Sequence, residues 1–176
     1  MTDIARTIHT YEIVGYGAYF VDVLPDLTEI LSELTDENSY FIIAINEAVC
    51  NAAKYPVYGY EEAKIKIEIV ITNEDVTVTV ISKTKPFNAL EYRNKMLKLK
   101  EKPKLKNMPW SEYTGISERS RGFWMMLMAV DYLYIDINSD RVSLNISIPR
   151  KAEEVTLTIG ELIKRFFVEK DGVVIP

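Results

Sequence analysis

The chain has 176 residues, 48% of them hydrophobic and 27% charged, and a net charge of −5, which suits one domain with a sizeable core and the composition of a soluble globular protein. One cysteine, Cys50, and one histidine, His9, exclude an intramolecular disulfide and in effect a zinc site of His and Cys. A Cys–His catalytic pair is excluded too unless His9 reaches Cys50.

Residues 6 to 14 alternate loosely and are rich in β-formers, so they predict a strand, with His9 structural or exposed. Gly15 and Gly17 punctuate it. Leu24 to Leu34 predicts a short helix with Pro25 in its first turn and Leu27, Ile30, Leu31 and Leu34 on one side. Thr35-Asp36-Glu37-Asn38 breaks the chain and offers N-caps to the next helix. Phe41 to Tyr55 reads as that helix, a long one, its apolar face formed by Ile42, Ile45, Ala48, Val49, Ala52 and Ala53. Cys50 fits there as a buried helix residue. Pro56 stops the helix, because the residue before a proline is pushed out of the helical region. Tyr58-Gly59-Tyr60 reads as a loop.

Lys64 to Ile69 alternates charge with isoleucine, and Val76 to Ile81 alternates valine with threonine. With Asn73-Glu74-Asp75 as the turn, they predict an antiparallel hairpin. Between Ser82 and Lys106 lie nine basic residues and only two acidic ones, Glu91 and Glu101, on a chain that is acidic overall. That segment is either a surface for an anionic ligand or partner, or a solvated mobile loop. Asn88 to Lys100 predicts an exposed helix, whereas Pro103, Pro109 and Gly115 argue against structure beyond it. A connection this long in a compact domain is a lid, a binding loop or a disordered segment. Gly122 to Val130 is apolar on every face and so is a buried helix or strand; its length and three methionines favour a helix, with the methionines as core filler. Tyr132 to Ile137 and Val142 to Ile148 predict a second hairpin about Asn138-Ser139-Asp140. After Arg150 the pattern predicts a short segment from Val155 to Ile159, a helix from Glu161 to Phe167 and a turn at Lys170-Asp171-Gly172. The sum is an α+β fold, a two-layer sandwich of one mixed, mostly antiparallel sheet with helices on one face. No apolar run approaches the length of a membrane span and no basic-then-apolar leader opens the chain, so a cytoplasmic protein is expected.

On the long helix, Glu47, Asn51 and Lys54 sit at i, i+4 and i+7 and share one polar stripe. A carboxylate and a carboxamide one turn apart can hold a water and a hard cation, and a lysine one turn further can meet a phosphate. A stripe of this kind is equally the mark of a solvated face. Tyr40, Ile43 and Ala44 extend it toward the helix start, which argues for a covered face.

Glu47-Ala-Val-Cys-Asn51-Ala-Ala-Lys54-Tyr55 resembles the N-box of the GHKL family, the Bergerat-fold ATP-binding domains of gyrase, sensor histidine kinases and mismatch-repair ATPases. Its form is most similar to that of the small anti-sigma-factor serine kinases. Ser120-Arg-Gly122-Phe-Trp-Met-Met-Leu-Met-Ala-Val-Asp131, a glycine-bearing loop opening a buried helix that ends in Asp, resembles the family's second glycine box. The resemblance spans roughly residues 6 to 149. It implies a histidine-kinase-like ATPase domain over 1–150, a lid over 82–121 and a C-terminal extension over 151–176.

It also implies roles. Glu47 would be the general base or orient a water near the γ-phosphate. Asn51 would give an amide oxygen to Mg²⁺. Lys54 would sit near phosphate, and Ser120, Arg121 and Gly122 would bring backbone N–H groups to the phosphates of ATP or ADP at a helix N-terminus. The family's first glycine box reads Asp-x-Gly-x-Gly, and its Asp accepts from the adenine amino group. Here Ser82-Lys83-Thr84-Lys85-Pro86 stands in its place, so Ser82 replaces the Asp while Thr84 and Pro86 replace the glycines. A neutral hydroxyl is a weaker acceptor than a carboxylate. Two functions from different classes are implied. One is an ATP-binding regulatory protein, a serine/threonine protein kinase that acts on a regulatory partner (a sigma factor or an anti-sigma antagonist) and forms a homodimer. The other is a non-catalytic interaction module that has kept the fold without productive nucleotide binding. Nucleic-acid binding through Arg93 to Lys106 is the weaker reading, because the chain is acidic and Tyr92, Trp110 and Tyr113 are sparse for a stacking platform.

Overall fold

The computed structural model describes residues 6–35, 39–85, 87–116, 121–149 and 157–175. Strand β1 (Thr7–Val14) leads through Gly15 into a short helix α1 (Tyr16–Ala18), a π-helical turn (Tyr19–Val23) and helix α2 (Leu24–Leu34). Gly15 has φ +78°, and a Cβ on it would meet the Glu61 carbonyl oxygen at 2.8 Å, so this corner requires glycine. Thr35 closes α2. Asp36, Glu37 and Asn38, expected as caps, lie outside the described residues. Helix α3 (Ser39–Lys54) is followed by a 3₁₀ turn (Tyr60–Glu62) and by strands β2 (Lys64–Ile71) and β3 (Asp75–Ser82). Helices α4 (Ala89–Lys100), α5 (Pro103–Lys106), α6 (Trp110–Ile116) and α7 (Arg121–Ala129) come next. Strands β4 (Tyr132–Asp136) and β5 (Arg141–Ser147), helix α8 (Ile159–Leu162) and strands β6 (Phe166–Lys170) and β7 (Val173–Ile175) complete the order.

The seven strands form one sheet in the order β1-β2-β3-β5-β4-β6-β7. Every neighbouring pair is antiparallel except β4 with β6, which is parallel. The strict alternation read in β2 and β3 puts Ile65, Ile67 and Ile69 beside Ser82, Val80 and Val78 on one face. Leu144 and Ile146 of β5, Leu133 and Ile135 of β4, and Phe166 and Val168 of β6 continue that buried row. The helices cover this face, with Phe41, Ala44, Ile45, Ala48, Val49 and Ala53 of α3 packed at the centre. The opposite face carries Lys66, Glu68, Thr77, Thr79, Ser143 and Asn145, which is why those strands alternate polar with apolar. The fold class is therefore the α+β two-layer arrangement that the element order predicts. Among the described residues no helix is long and apolar enough to cross a membrane.

Two stretches differ from expectation. Pro103 does not end structure; it starts α5 from the first turn, where its missing N–H costs nothing. Pro109 forms an isolated bridge with Thr158, and α6 begins beside it. In the C-terminal stretch the helical turns stop at Arg165, short of the expected Phe167. Phe166 instead opens a strand, because pairing with Leu133 puts its ring into the core. The last residues thus belong to the sheet. They also hold the basic segment in place. Trp110 N–H donates to the Leu157 carbonyl at 3.3 Å, Ile159 N–H to the Met108 carbonyl at 3.0 Å and Arg93 Nε to the Phe166 carbonyl at 3.3 Å.

Candidate functional site

Between α3, the end of β3, α7 and the β4–β5 turn lies a cleft of about 840 Å³, within the usual range for small-molecule sites. Six sequence-predicted residues from three parts of the chain line it: Glu47, Asn51, Lys54, Ser82, Arg121 and Gly122. Ser120 lies outside the described residues.

One end is set by α3 and α7. Glu47 and Asn51 lie one turn apart on α3 and are half-buried, whereas Lys54 is exposed with its ammonium 5.4 Å from the Tyr55 ring centroid. The polar stripe is thus a cleft wall, not a fully solvated face. Closer to the helix start the expected cover extends only to Ala44, for Tyr40 is 57% and Ile43 37% exposed. Gly122 stands in the first turn of α7 against Glu47: a Cβ there would collide with the Glu47 carboxylate. Glycine is what lets the two helices bring a carboxylate to a helix N-terminus, where free N–H groups favour negative charge. Behind Glu47 lies Tyr16, whose hydroxyl burial and then the Cys50 thiol push up to about 12, with Tyr60 and Glu47 adding to the effect. Tyr19 is fully buried and donates to Asn46 Oδ1, and its own hydroxyl is raised by burial and then by Tyr16. Asp131, expected at the end of the glycine-box helix, has a structural contact: it accepts from Ser147 N–H at 2.7 Å and so ties α7 to β5.

The other end is stitched from distant segments. The stretch that stands where glycines were expected is pinned on both sides. Val57 N–H donates to the Lys83 carbonyl at 3.0 Å and Lys85 N–H to the Tyr55 carbonyl at 2.8 Å. Across the stretch, Ser82 N–H donates to the Asp140 carbonyl at 2.9 Å and Thr84 Oγ1 to the Ser139 carbonyl at 3.0 Å. Ser139 adopts φ 64°, and its hydroxyl donates to the Phe87 carbonyl at 2.8 Å. Pro86 lies outside the described residues.

Ser82 itself is 6% exposed, and its Oγ has no hydrogen-bond partner among the described residues. Leaving a buried hydroxyl unpaired costs on the order of 1–3 kcal/mol. Val80, Ile135, Val142 and Met126 give the cleft an apolar flank beside it, and Tyr92 and Phe123 form an aromatic wall. Both of those rings pack against Phe166, at centroid distances of 6.4 and 5.1 Å.

The sequence motifs did not point to Asp140, Ser139 or Tyr92. A signal existed for the first two: if the second hairpin pairs with β3, its turn must arrive beside Ser82. Among the described residues no group of three or more His, Cys, Asp or Glu side chains is placed to hold a metal ion. The cleft lining holds two carboxylates, Glu47 and Asp140, one carboxamide, Asn51, and the cations Lys54, Lys85 and Arg121. No protein-family model matches the chain, and no curated protein matches it.

Proposed function

We propose that the cleft binds a magnesium–nucleoside triphosphate and that the chain is an ATP-binding regulatory protein of the GHKL (Bergerat-fold) kind, akin to the anti-sigma-factor serine kinases. The observation that carries this reading is the convergence of Glu47, Asn51, Lys54, Arg121 and Gly122 on the wall of a single cleft that Ser82, Val80, Val142 and Tyr92 also line. The first group offers a carboxylate, an amide oxygen, cations and a helix N-terminus. The second offers an apolar and aromatic slot. That division suits a ligand with a polyanionic head and a flat ring.

In this reading Asn51 gives an oxygen to magnesium, and Lys54 and Arg121 neutralise phosphate charge. Glu47 would accept the proton of a serine hydroxyl of a regulatory protein as that oxygen takes the γ-phosphoryl group and ADP leaves. ATP supplies the transferable phosphoryl group; the chain supplies positioning and charge. The reading is tested by thermal unfolding with millimolar Mg-ATP or Mg-ADP. A ligand at 100 times its dissociation constant stabilises the native state by about 2.7 kcal/mol, so a clear rise in Tm is expected, and none at millimolar nucleotide defeats the reading. A second reading, a non-catalytic interaction module, draws on Tyr40 and Ile43, which leave an apolar strip exposed on α3. Unaltered melting with nucleotide would favour it.

A further inference from the structure

From Thr7 to Ala53 the chain carries eight acidic residues and no lysine or arginine. The same stretch leaves large apolar side chains in the open. Phe20 is 45% and Val21 75% exposed, and Tyr40 and Ile43 are exposed with them. Tyr40 and Ile43 stand at i and i+3 on α3, and Glu47 and Cys50 continue that side of the helix at i+7 and i+10. The turn from α1 into the π-helical segment runs along the same side, with Tyr19 donating to Asn46 and Tyr16 beside Cys50. The Phe20 ring packs edge-on against Tyr16 and Tyr19, at centroid distances of 5.0 and 5.4 Å, and the exposed Tyr60 ring lies 5.6 Å from Tyr16. Apolar side chains therefore mark out a strip from Tyr40 to the level of Cys50, about 15 Å at 1.5 Å per helical residue. Exposed acids border it. Asp22 follows Val21 directly, Asp26, Glu29 and Glu33 come at helical spacing along α2, and Glu61 and Glu62 follow Tyr60.

Contiguous exposed apolar surface with a polar rim marks an interaction site, and a rim of one sign selects a partner of the other. A row of this length matches about three turns of an amphipathic helix, whose anchors recur at i, i+3 or i+4, and i+7. We propose that the strip docks an amphipathic basic helix of a partner protein, with apolar anchors on Tyr40, Ile43 and Phe20 and Lys or Arg side chains reaching the bordering carboxylates. A second copy of this chain offers no such helix: the most basic helix, α4, commits Ala89 and Met96 to its own core. Docking there requires no nucleotide. It gives the interaction-module reading a partner chemistry and holds equally if the cleft binds ATP.

The test is fluorescence anisotropy on the full-length protein without nucleotide, so that its outcome is independent of the nucleotide reading. The probe is a labelled synthetic helix of leucine and lysine, about four turns long, with its leucines on one face. Two controls accompany it: a scrambled peptide of the same composition, and a leucine-faced peptide with glutamate in place of lysine. Wild type is expected to bind the patterned basic peptide at least about tenfold more tightly than either control. Tyr40→Ser with Ile43→Ser should remove the advantage over the scrambled peptide. Asp22→Lys with Glu29→Lys should weaken binding about tenfold and flatten its salt dependence. All four side chains are exposed, so melting should be unchanged; if a variant does not fold, the three peptides on wild type decide the matter. Equal binding of the patterned and scrambled peptides overturns the proposal, as does binding that both double variants leave intact. A dimer in sedimentation that Ile43→Ser breaks would put a second copy on the strip and overturn it too.

Discussion

The two ends of the cleft are held together in different ways. At the α3–α7 end, Glu47 and Asn51 are one helical turn apart, and Gly122 leaves room for the Glu47 carboxylate against α7. At the Ser82 end, the walls depend on contacts between residues far apart in the chain. Thr84 bonds to Ser139 across 55 residues, and Arg93 bonds to Phe166 across 73. The first end is a local pattern presented by two helices. The second is a product of the sheet register and of a C-terminal segment that clamps α4 to α6. Damage far from the cleft should therefore loosen the Ser82 end and leave the α3–α7 end standing.

The largest effect should come from Phe166→Ala. Phe166 is 1% exposed and backs both Tyr92 and Phe123, and truncating a buried Phe costs about 3–5 kcal/mol. Urea denaturation should show that loss, and the comparison breaks if the variant keeps wild-type stability. Gly160→Ala comes next. Its Cβ would meet Lys106 Cγ at 2.8 Å and the Lys106 carbonyl oxygen at 2.9 Å, and a backbone atom cannot step aside cheaply. Overpacking of this kind costs about 1–3 kcal/mol, and hydrogen exchange should quicken in α5 and α6 before it changes in α3.

Thr84→Val removes the bond to Ser139 and should cost about 1 kcal/mol, with the loss of amide protection confined to the β4–β5 turn and residues 82–85. Gly122→Ala sharpens the contrast from the other side. The new Cβ forces the flexible Glu47 side chain away at a cost of about 0.5–1.5 kcal/mol, while alanine regains about 0.5–1 kcal/mol in helix propensity. Tm should scarcely move although the carboxylate has left the cleft, and a structure of the variant with Glu47 in place would contradict this.

The smallest effect concerns pH. Thr158 N–H and its hydroxyl both donate to Glu161 Oε2 at 2.8 Å and hold that carboxyl below its ordinary 4.5. Its share of stability is present above about pH 4.5 and is lost as pH falls through the lowered value. Glu161→Gln should flatten that part of the stability profile by lowering stability slightly in the neutral region while leaving the acid end nearly unchanged.

Much of this architecture was legible because burial imposes periodicity. Ile65, Ile67 and Ile69 against Val76, Val78 and Val80 could only be a half-buried hairpin, and the apolar rows of α3 and α7 could only be core helices. Residues 101 to 116 were not legible, because a proline that ends one helix can equally begin another, as Pro103 does. Strand β6 was hidden because the alternation of Phe166, Phe167 and Val168 has meaning only once β4 lies beside it. The same division runs through the cleft. Glu47, Asn51 and Lys54 were found from local spacing, and Arg121 and Gly122 from the resemblance to a glycine box. Asp140, Ser139 and Tyr92 reach the cleft only through tertiary contacts, although a local pattern marks the first two as a turn.

The proposed role of the α3–α7 end is to receive the phosphates of a magnesium-bound nucleotide. The most direct measurement is a calorimetric titration with ATP, with and without Mg²⁺, on wild type and on Asn51→Ala. Magnesium-dependent heat in wild type that Asn51→Ala abolishes, with unchanged melting of the unliganded variant, is the result the account predicts. Binding that ignores both magnesium and Asn51, or no binding to wild type at millimolar ATP, would contradict it.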